Sequence, residues 1–222
     1  PTFGSVFAGI EGFGLGFARA GIETVLQAEQ DPWCLKVLAH HYPNTKRVTD
    51  VRDVGDRRPQ SSREPRPVPH PEWGGWDALG RGTDLVYGGF PCQDVSVAGK
   101  RAGLGGERSG LWFEFHRVLR ELRPRWAVIE NVPGLLSSNQ GRDFAVILDG
   151  LDELGFDVAW AILDAQHFGV PQRRRRVFVV AGSRGRGAEQ VLSLCEGCGG
   201  NPAAGEAAGE GVAATLGGGA GE

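Results

Sequence analysis

Cys92 stands between Pro91 and Gln93 in "GGFPCQDVSVAGKRAGL", residues 88–104, directly after the apolar run "TDLVYGGF". A single cysteine is most often a buried, inert thiol. Here the next residues include Gln, Asp, Ser, Gly and Lys, which do not build a core. A thiol in a loop at the end of a strand can act as a nucleophile where its thiolate is favoured. Glu130, in "IENVPGLL", follows three apolar residues and precedes the turn formers Pro133 and Gly134. Such a carboxyl either caps or pairs at the strand end, or hydrogen-bonds to and protonates a substrate ring. In "QRRRRVFVVA" four arginines run into a strand, and Arg174 and Arg176, two residues apart, share a side of it. Two guanidinium groups aimed at one place suit a carbonyl and a phosphate; the alternative is a solvated basic turn.

A second set lies near the start of the chain. "FAGIEGFGLG" carries glycines at 9, 12, 14 and 16, but Phe17 breaks the G-x-G-x-x-G spacing. Alone, this is as consistent with a tight, closely packed turn as with a dinucleotide site. Glu29 ends the next apolar run, where a carboxylate can accept both hydroxyls of a ribose. Asp50 can accept from an adenine amino group or cap a turn, with Asp53 as a looser substitute. Together these residues indicate an adenosine-containing ligand, without separating NAD from S-adenosylmethionine. No phosphate-binding Lys or Arg is obvious at this end, which favours a ligand lacking phosphate.

The elements that must hold these residues alternate along the chain. "TFGSVFA", "ETVLQAE", "RVTDV", "TDLVYG", "RWAVIEN", "DVAWAILDA" and "RRVFVVAGS" read as strands. Helical patterns fall at "GFGLGFARAG", ending at Gly21, and at "DPWCLKVLAHHY", with Asp31 as N-cap and Pro32 at the first position. Two more follow at "GLWFEFHRVLREL" and "GRDFAVILDGLDELG". The alternation predicts an α/β fold with a doubly wound, mostly parallel sheet. Ligands bind such sheets outside the carboxyl ends of the strands, where all the candidate residues fall. Residues 55–82, rich in Pro, Gly and Arg and without periodicity, read as a loop or insertion. After residue 184 the composition collapses to Gly, Ala and Glu and reads as a mobile tail.

The bulk numbers agree with one well-buried domain: 222 residues, 41% hydrophobic and 23% charged. No window is long and apolar enough to span a bilayer, and no signal peptide is visible. Four cysteines, Cys34, Cys92, Cys195 and Cys198, do not make a disulfide scaffold, so a reducing cytoplasmic setting is expected. Cys34, within a helical pattern, reads as a buried thiol. "CEGC" at 195–198 is half a zinc site with no further Cys or His after it, so no metal is expected. The net charge of −3 comes from the glutamates after residue 184; the body carries as many basic as acidic residues. The lack of any methionine reads as a fragment or processed chain.

Taken in order, "FAGIEG", "GGFPCQDVS", "IENVPGLL" and "QRRRRVFVVA" resemble the cytosine-5 DNA methyltransferase family over residues 2–182. The resemblance implies a Rossmann-like methyltransferase sheet and S-adenosyl-L-methionine as cofactor. It implies that Phe7 packs on the adenine, that Gly9 and Gly12 approach the methionine portion, that Glu29 binds the ribose and that Asp50 binds the adenine. It further implies Cys92 as the nucleophile, Glu130 as the acid at the cytosine N3 edge, and Arg176 near the cytosine O2 with Arg174 beside it. Glu11 departs from the pattern, because the family more often has Gly there.

Residues 1–183 are then expected to be the catalytic domain, and 184–222 the opening of a target-recognition region. The expected partners are double-stranded DNA and, at the level of function, a cognate restriction endonuclease. The protein is expected to be a monomer acting in the cytoplasm. The chain alone is expected to methylate DNA poorly and without sequence preference. The rivals are a transfer-RNA cytosine methylase, a non-catalytic module of the same fold and, more distantly, an NAD oxidoreductase.

Overall fold

The computed structural model describes residues 1–55, 83–90 and 110–193 of the chain. Cys92, Cys195, Cys198 and nearly all of the expected insertion lie outside the described residues. Among the described residues seven strands form one mixed sheet in the order β3-β2-β1-β4-β5-β7-β6. The expected α/β fold with a mostly parallel sheet is the one observed: β1 pairs in parallel with β2 and β4, and β2 with β3, while β6 and β7 are antiparallel. By compactness the chain divides into two units, Pro1–Phe90 with Leu111–Val128, and Pro91–Gly110 with Ile129–Glu222.

The first unit carries β1 (Thr2–Val6), β2 (Glu23–Ala28), β3 (Lys46–Val48) and β4 (Leu85–Gly88). Near-continuous burial along β1 is what a strand covered on both faces requires. Helix α1 (Gly12–Arg19) ends at Gly21, φ +76°, where Gly21 N donates to Ala18 O and Ile22 N to Phe17 O. These two bonds satisfy carbonyls the helix leaves open, and glycine adopts the left-handed turn without a Cβ clash. Helix α2 (Pro32–His41) starts as expected, with Asp31 accepting from Trp33 N and Cys34 N. Helix α3 (Gly110–Leu122) buries Trp112, Phe115, Val118, Leu119 and Leu122, one apolar stripe at helical spacing. Gly88 meets that stripe: a Cβ there would sit 2.4 Å from the Phe115 ring.

The second unit contains α4 (Arg142–Glu153), the antiparallel pair β6 (Phe156–Asp164) and β7 (Arg175–Ser183), and α5 (Ala188–Ser193). Strand β5 (Trp126–Asn131) runs from the first unit into the second. Its alternation buries Ala127, Ile129 and Asn131, which turns Glu130 to the other face. Helix α5 was not expected from the Gly/Ala/Glu-rich composition. Ala188 and Leu192, four residues apart, bury one side of it against β6 and β7, enough to order a single short helix. Among the described residues no helix is long and apolar enough to cross a membrane.

Candidate functional site

In the first unit the loop from Phe7 to Glu11 follows β1 and leads into α1. Phe7, Gly9 and Glu11 all have positive φ, 61°, 55° and 65°. For the two non-glycine residues this costs roughly 1–3 kcal/mol each and needs compensating ties. Those ties are present. Ala8 N donates to Ala28 O at 3.1 Å, Glu11 N to Ala8 O at 2.9 Å, and Gly9 N to Glu29 Oε2 at 2.7 Å. Glu29 Oε1 accepts from Gln30 N and Asp31 N, each at 2.8 Å. The Glu29 carboxylate therefore joins the turn after β1 to the turn after β2, and Oε2 keeps acceptor capacity. A Cβ placed on Gly9 or Gly12 would meet nothing within 4 Å among the described residues, so there this backbone is open to close approach.

Asp50 caps a short 3-10 turn, Val51–Asp53, by accepting from Arg52 N. Its carboxylate also takes the Arg52 side chain, Nε at 2.8 Å and Nη2 at 2.6 Å from Oδ2. An adenine amino group would have to share this carboxylate with Arg52. The turn is anchored from α3. Arg117 donates through Nη2 to Val51 O and through Nη1 to Val54 O, at 2.9 and 2.7 Å, while Glu114 and Glu121 hold its guanidinium.

In the second unit Glu130 Oε1 receives Arg176 Nε at 3.0 Å and lies 3.6 Å from Arg174 Nη2. The carboxylate and Arg176 are mostly covered, with side chains 19% and 24% exposed, whereas Arg174 is 48% exposed. Arg174 is placed by its backbone. Its N–H donates to Asp164 Oδ1 at 3.0 Å, and its carbonyl accepts from Ala165 N at 3.0 Å. Asp164, buried at the end of β6, also accepts from Gln166 N, so one carboxylate organises both ends of the β6–β7 connection.

Residues 2–194 match the family model for C-5 cytosine-specific DNA methylase. The chain belongs to this family. It is 35% identical over 181 residues to the type II methyltransferase M2.BsuMI of Bacillus subtilis, covering 80% of this chain and 41% of that protein. It is 34% identical over 191 residues to the type II methyltransferase M.AquIA of Picosynechococcus, covering 82% and 72%. The chain thus spans about two-fifths of the length of M2.BsuMI and of M.BsuFI, another type II methyltransferase of Bacillus subtilis. Among solved structures it resembles the S. pombe Dnmt2 methyltransferase with a TM-score of 0.61 at 18% identity, over 87% of this chain and 55% of that one. It also resembles Spodoptera frugiperda DNMT2 with a TM-score of 0.59 at 20% identity, over 84% and 51%. These likenesses show a shared methyltransferase fold.

In this member of the C-5 cytosine-specific DNA methylase family, each unit groups part of the expected set. Phe7, Gly9, Gly12 and Glu29 gather at the carboxyl ends of β1 and β2, and Asp50 follows β3. Glu130, Arg174 and Arg176 meet in the second unit. Cys92, in the Pro-Cys-Gln motif, lies outside the described residues. Cys34 corrects an expectation: it lies in the first turn of α2 and is only half-buried. Partial burial, then the Asp31 carboxylate, push its thiol above the usual pKa, which keeps it protonated and unreactive. Sequence reasoning missed Asp164, Arg117 and the burial of Glu11. A signal existed for Arg117, since Glu114, Arg117 and Glu121 stand at i, i+3 and i+7 on one helix face. For Glu11 no local signal existed.

Proposed function

We propose that the protein is a DNA (cytosine-5)-methyltransferase that binds S-adenosylmethionine and uses Cys92 to activate a cytosine. The observation that carries this reading is the convergence of Arg176 and Arg174 on the Glu130 carboxylate at the end of β5. Family membership supports it. The cofactor fits the first unit. Glu29 is a fixed carboxylate suited to ribose hydroxyls, and Gly9 and Gly12 offer backbone with no described side chain in the way. Phe7 would lie against the adenine and Asp50 would bind its amino group. When bound, S-adenosylmethionine supplies an electrophilic methyl group.

Cytosine C5 is a poor nucleophile. A Cys92 thiolate adding to C6 forms a carbon–sulfur bond and pushes the ring π electrons toward C5 and N3. Glu130 meets the charge building on N3 as a hydrogen-bond or proton donor. Arg176 orients Glu130 and, with Arg174, serves the O2 carbonyl and an adjacent phosphate. Once C5 is methylated, loss of its proton to a base returns an electron pair to the ring. The C6–S bond then breaks and the thiolate leaves. A stacked base cannot be reached in this way, so the cytosine must be flipped out of the duplex at a cost of a few kcal/mol. Residues 1–183 would form the catalytic domain and 184–222 the start of a target-recognition region. Double-stranded DNA and, functionally, a cognate restriction endonuclease would be the partners of a cytoplasmic monomer.

Bisulfite sequencing of DNA from cells expressing the full-length gene tests the reading. The expected result is protected cytosines within a defined sequence context. Unprotected DNA together with methylated transfer RNA would replace DNA with RNA as the substrate. A narrower result is expected at Glu29. Glu29→Ala should weaken S-adenosylmethionine binding by about 1–3 kcal/mol, the range for losing charged hydrogen bonds, as read by calorimetry. Unchanged affinity would mean that the cofactor binds elsewhere.

A further inference from the structure

The reaction proposed above has no use for Glu11, yet among the described residues it is the most deeply buried acid of the first unit, 2% exposed. It is the N-cap of α1 with φ 65° and ψ 43°, and it makes no side-chain capping bond. Instead its carboxyl turns inward. Oε2 accepts from Gln27 Nε2 at 3.0 Å, and Gln27 Oε1 in turn accepts from Arg47 Nε and Nη2 at 3.1 and 2.8 Å. Arg47 closes the line by donating to Leu38 O and Tyr42 O, each at 3.0 Å. The other oxygen, Oε1, is buried with no hydrogen bond of good geometry, as is Ser5 Oγ on β1. The first turn of α1 closes on this side chain. A Cβ on Gly14 would stand 2.4 Å from Glu11 Cγ, so only glycine fits.

We propose that Glu11 is a positioning residue for S-adenosylmethionine: its uncharged carboxyl, bonded to Gln27, holds the left-handed turn on which Gly9 and Gly12 present their open backbone, and its ionisation loosens that turn. The proposal rests on the reading of the first unit as the cofactor half. A neutral carboxyl can be buried with one good acceptor bond. A carboxylate cannot, because desolvation without matching donors is costly. Burial pushes the Glu11 pKa up to about 7, outweighing the Gln27 hydrogen bond, then the nearby Ser5 hydroxyl and Gly14 N–H and the Arg47 charge, all of which favour ionisation. Among the described residues the ionisable groups facing it are Arg47 from β3 and Tyr42 at the end of α2, whose phenol is itself raised by burial and then by Glu11. The folded-state pKa lies above the ordinary 4.5, so the folded turn holds the extra proton. The stabilisation is therefore complete below about 4.5 and is lost as pH rises through about 7.

The test is S-adenosylmethionine affinity by calorimetry from pH 5.5 to pH 8.5, on the wild type, Glu11→Gln, Glu11→Gly and Glu29→Ala. The cofactor's own titration is common to all four, so differences report the protein. Across the range the wild type should lose about tenfold more affinity than Glu11→Gln or Glu11→Gly. Glu29→Ala should bind more weakly at every pH with the wild-type slope. Equal slopes for the wild type and Glu11→Gln would overturn the proposal. If the wild type binds no cofactor and Glu29→Ala changes nothing, the reading of the first unit fails instead. Thermal unfolding then still decides Glu11: a melting temperature that falls between pH 5 and pH 8 in the wild type and stays level in Glu11→Gln shows a proton held by the turn. Matching profiles would sink that too.

Discussion

Cys92→Ala should reduce methyl transfer by at least about 10³-fold, the scale on which covalent nucleophiles matter, while S-adenosylmethionine binds within about threefold of the wild type. The asymmetry follows from the proposed chemistry. In that chemistry the thiol acts only on the base, so alanine removes the C6 adduct, while the cofactor contacts proposed for Gly9 and Glu29 make no use of it. Filter assays with tritiated cofactor read the first quantity and calorimetry the second. A complementary result is expected on duplex DNA carrying 5-fluorocytosine. The fluorine at C5 cannot leave as a proton does, so wild-type protein should stay covalently bound in the presence of cofactor and Cys92→Ala should not. Retained turnover in Cys92→Ala would remove the nucleophile from the mechanism. Cys34→Ala should leave turnover unchanged, since that thiol is held protonated beside Asp31.

The second large effect is expected at Glu130. Glu130→Gln should lower kcat by about 10²–10⁴-fold, the usual worth of a positioned proton donor, with little change in cofactor affinity. Glutamine keeps the size and can still accept from Arg176 Nε, which contacts the carboxylate at 3.0 Å. In the proposed mechanism, what it would lose is the proton for N3. Arg176→Ala should fall between this variant and the wild type, because Arg174 remains 3.6 Å from the same oxygen. A Glu130→Gln enzyme with normal kcat and raised KM would show that Glu130 only binds the base. Stopped-time assays at saturating DNA separate the two.

Much of this was legible before any fold was known. Asp31-Pro32 announces a helix start because a side-chain acceptor and a missing N–H both suit that one position. The "GLWFEFHRVLREL" stripe specifies α3 residue for residue, since its apolar positions recur at helical spacing. Glu130 could be placed at a strand end because alternation along "RWAVIEN" allots it a face. By contrast, α5 was missed because the burial of Ala188 and Leu192 depends on β6 and β7, not on local composition.

Sequence alone determined that Glu29 and Glu130 fall at strand ends, that Gly21 closes α1, and which ordered motifs mark the cytosine methylase family. These are decided by neighbours along the chain, where backbone sterics and periodicity act. Partnership was decided only by tertiary structure. That Glu130 shares one oxygen between Arg176 and Arg174, and that Glu29 holds the Gly9 amide, follows from strands far apart in sequence. Glu11 shows this most clearly. In sequence it is one acid among glycines; in the fold, β1, β2 and β3 lie side by side and shut it from water with Gln27 and Arg47. Desolvation is a property of everything that surrounds a group, and no stretch of sequence around residue 11 contains it.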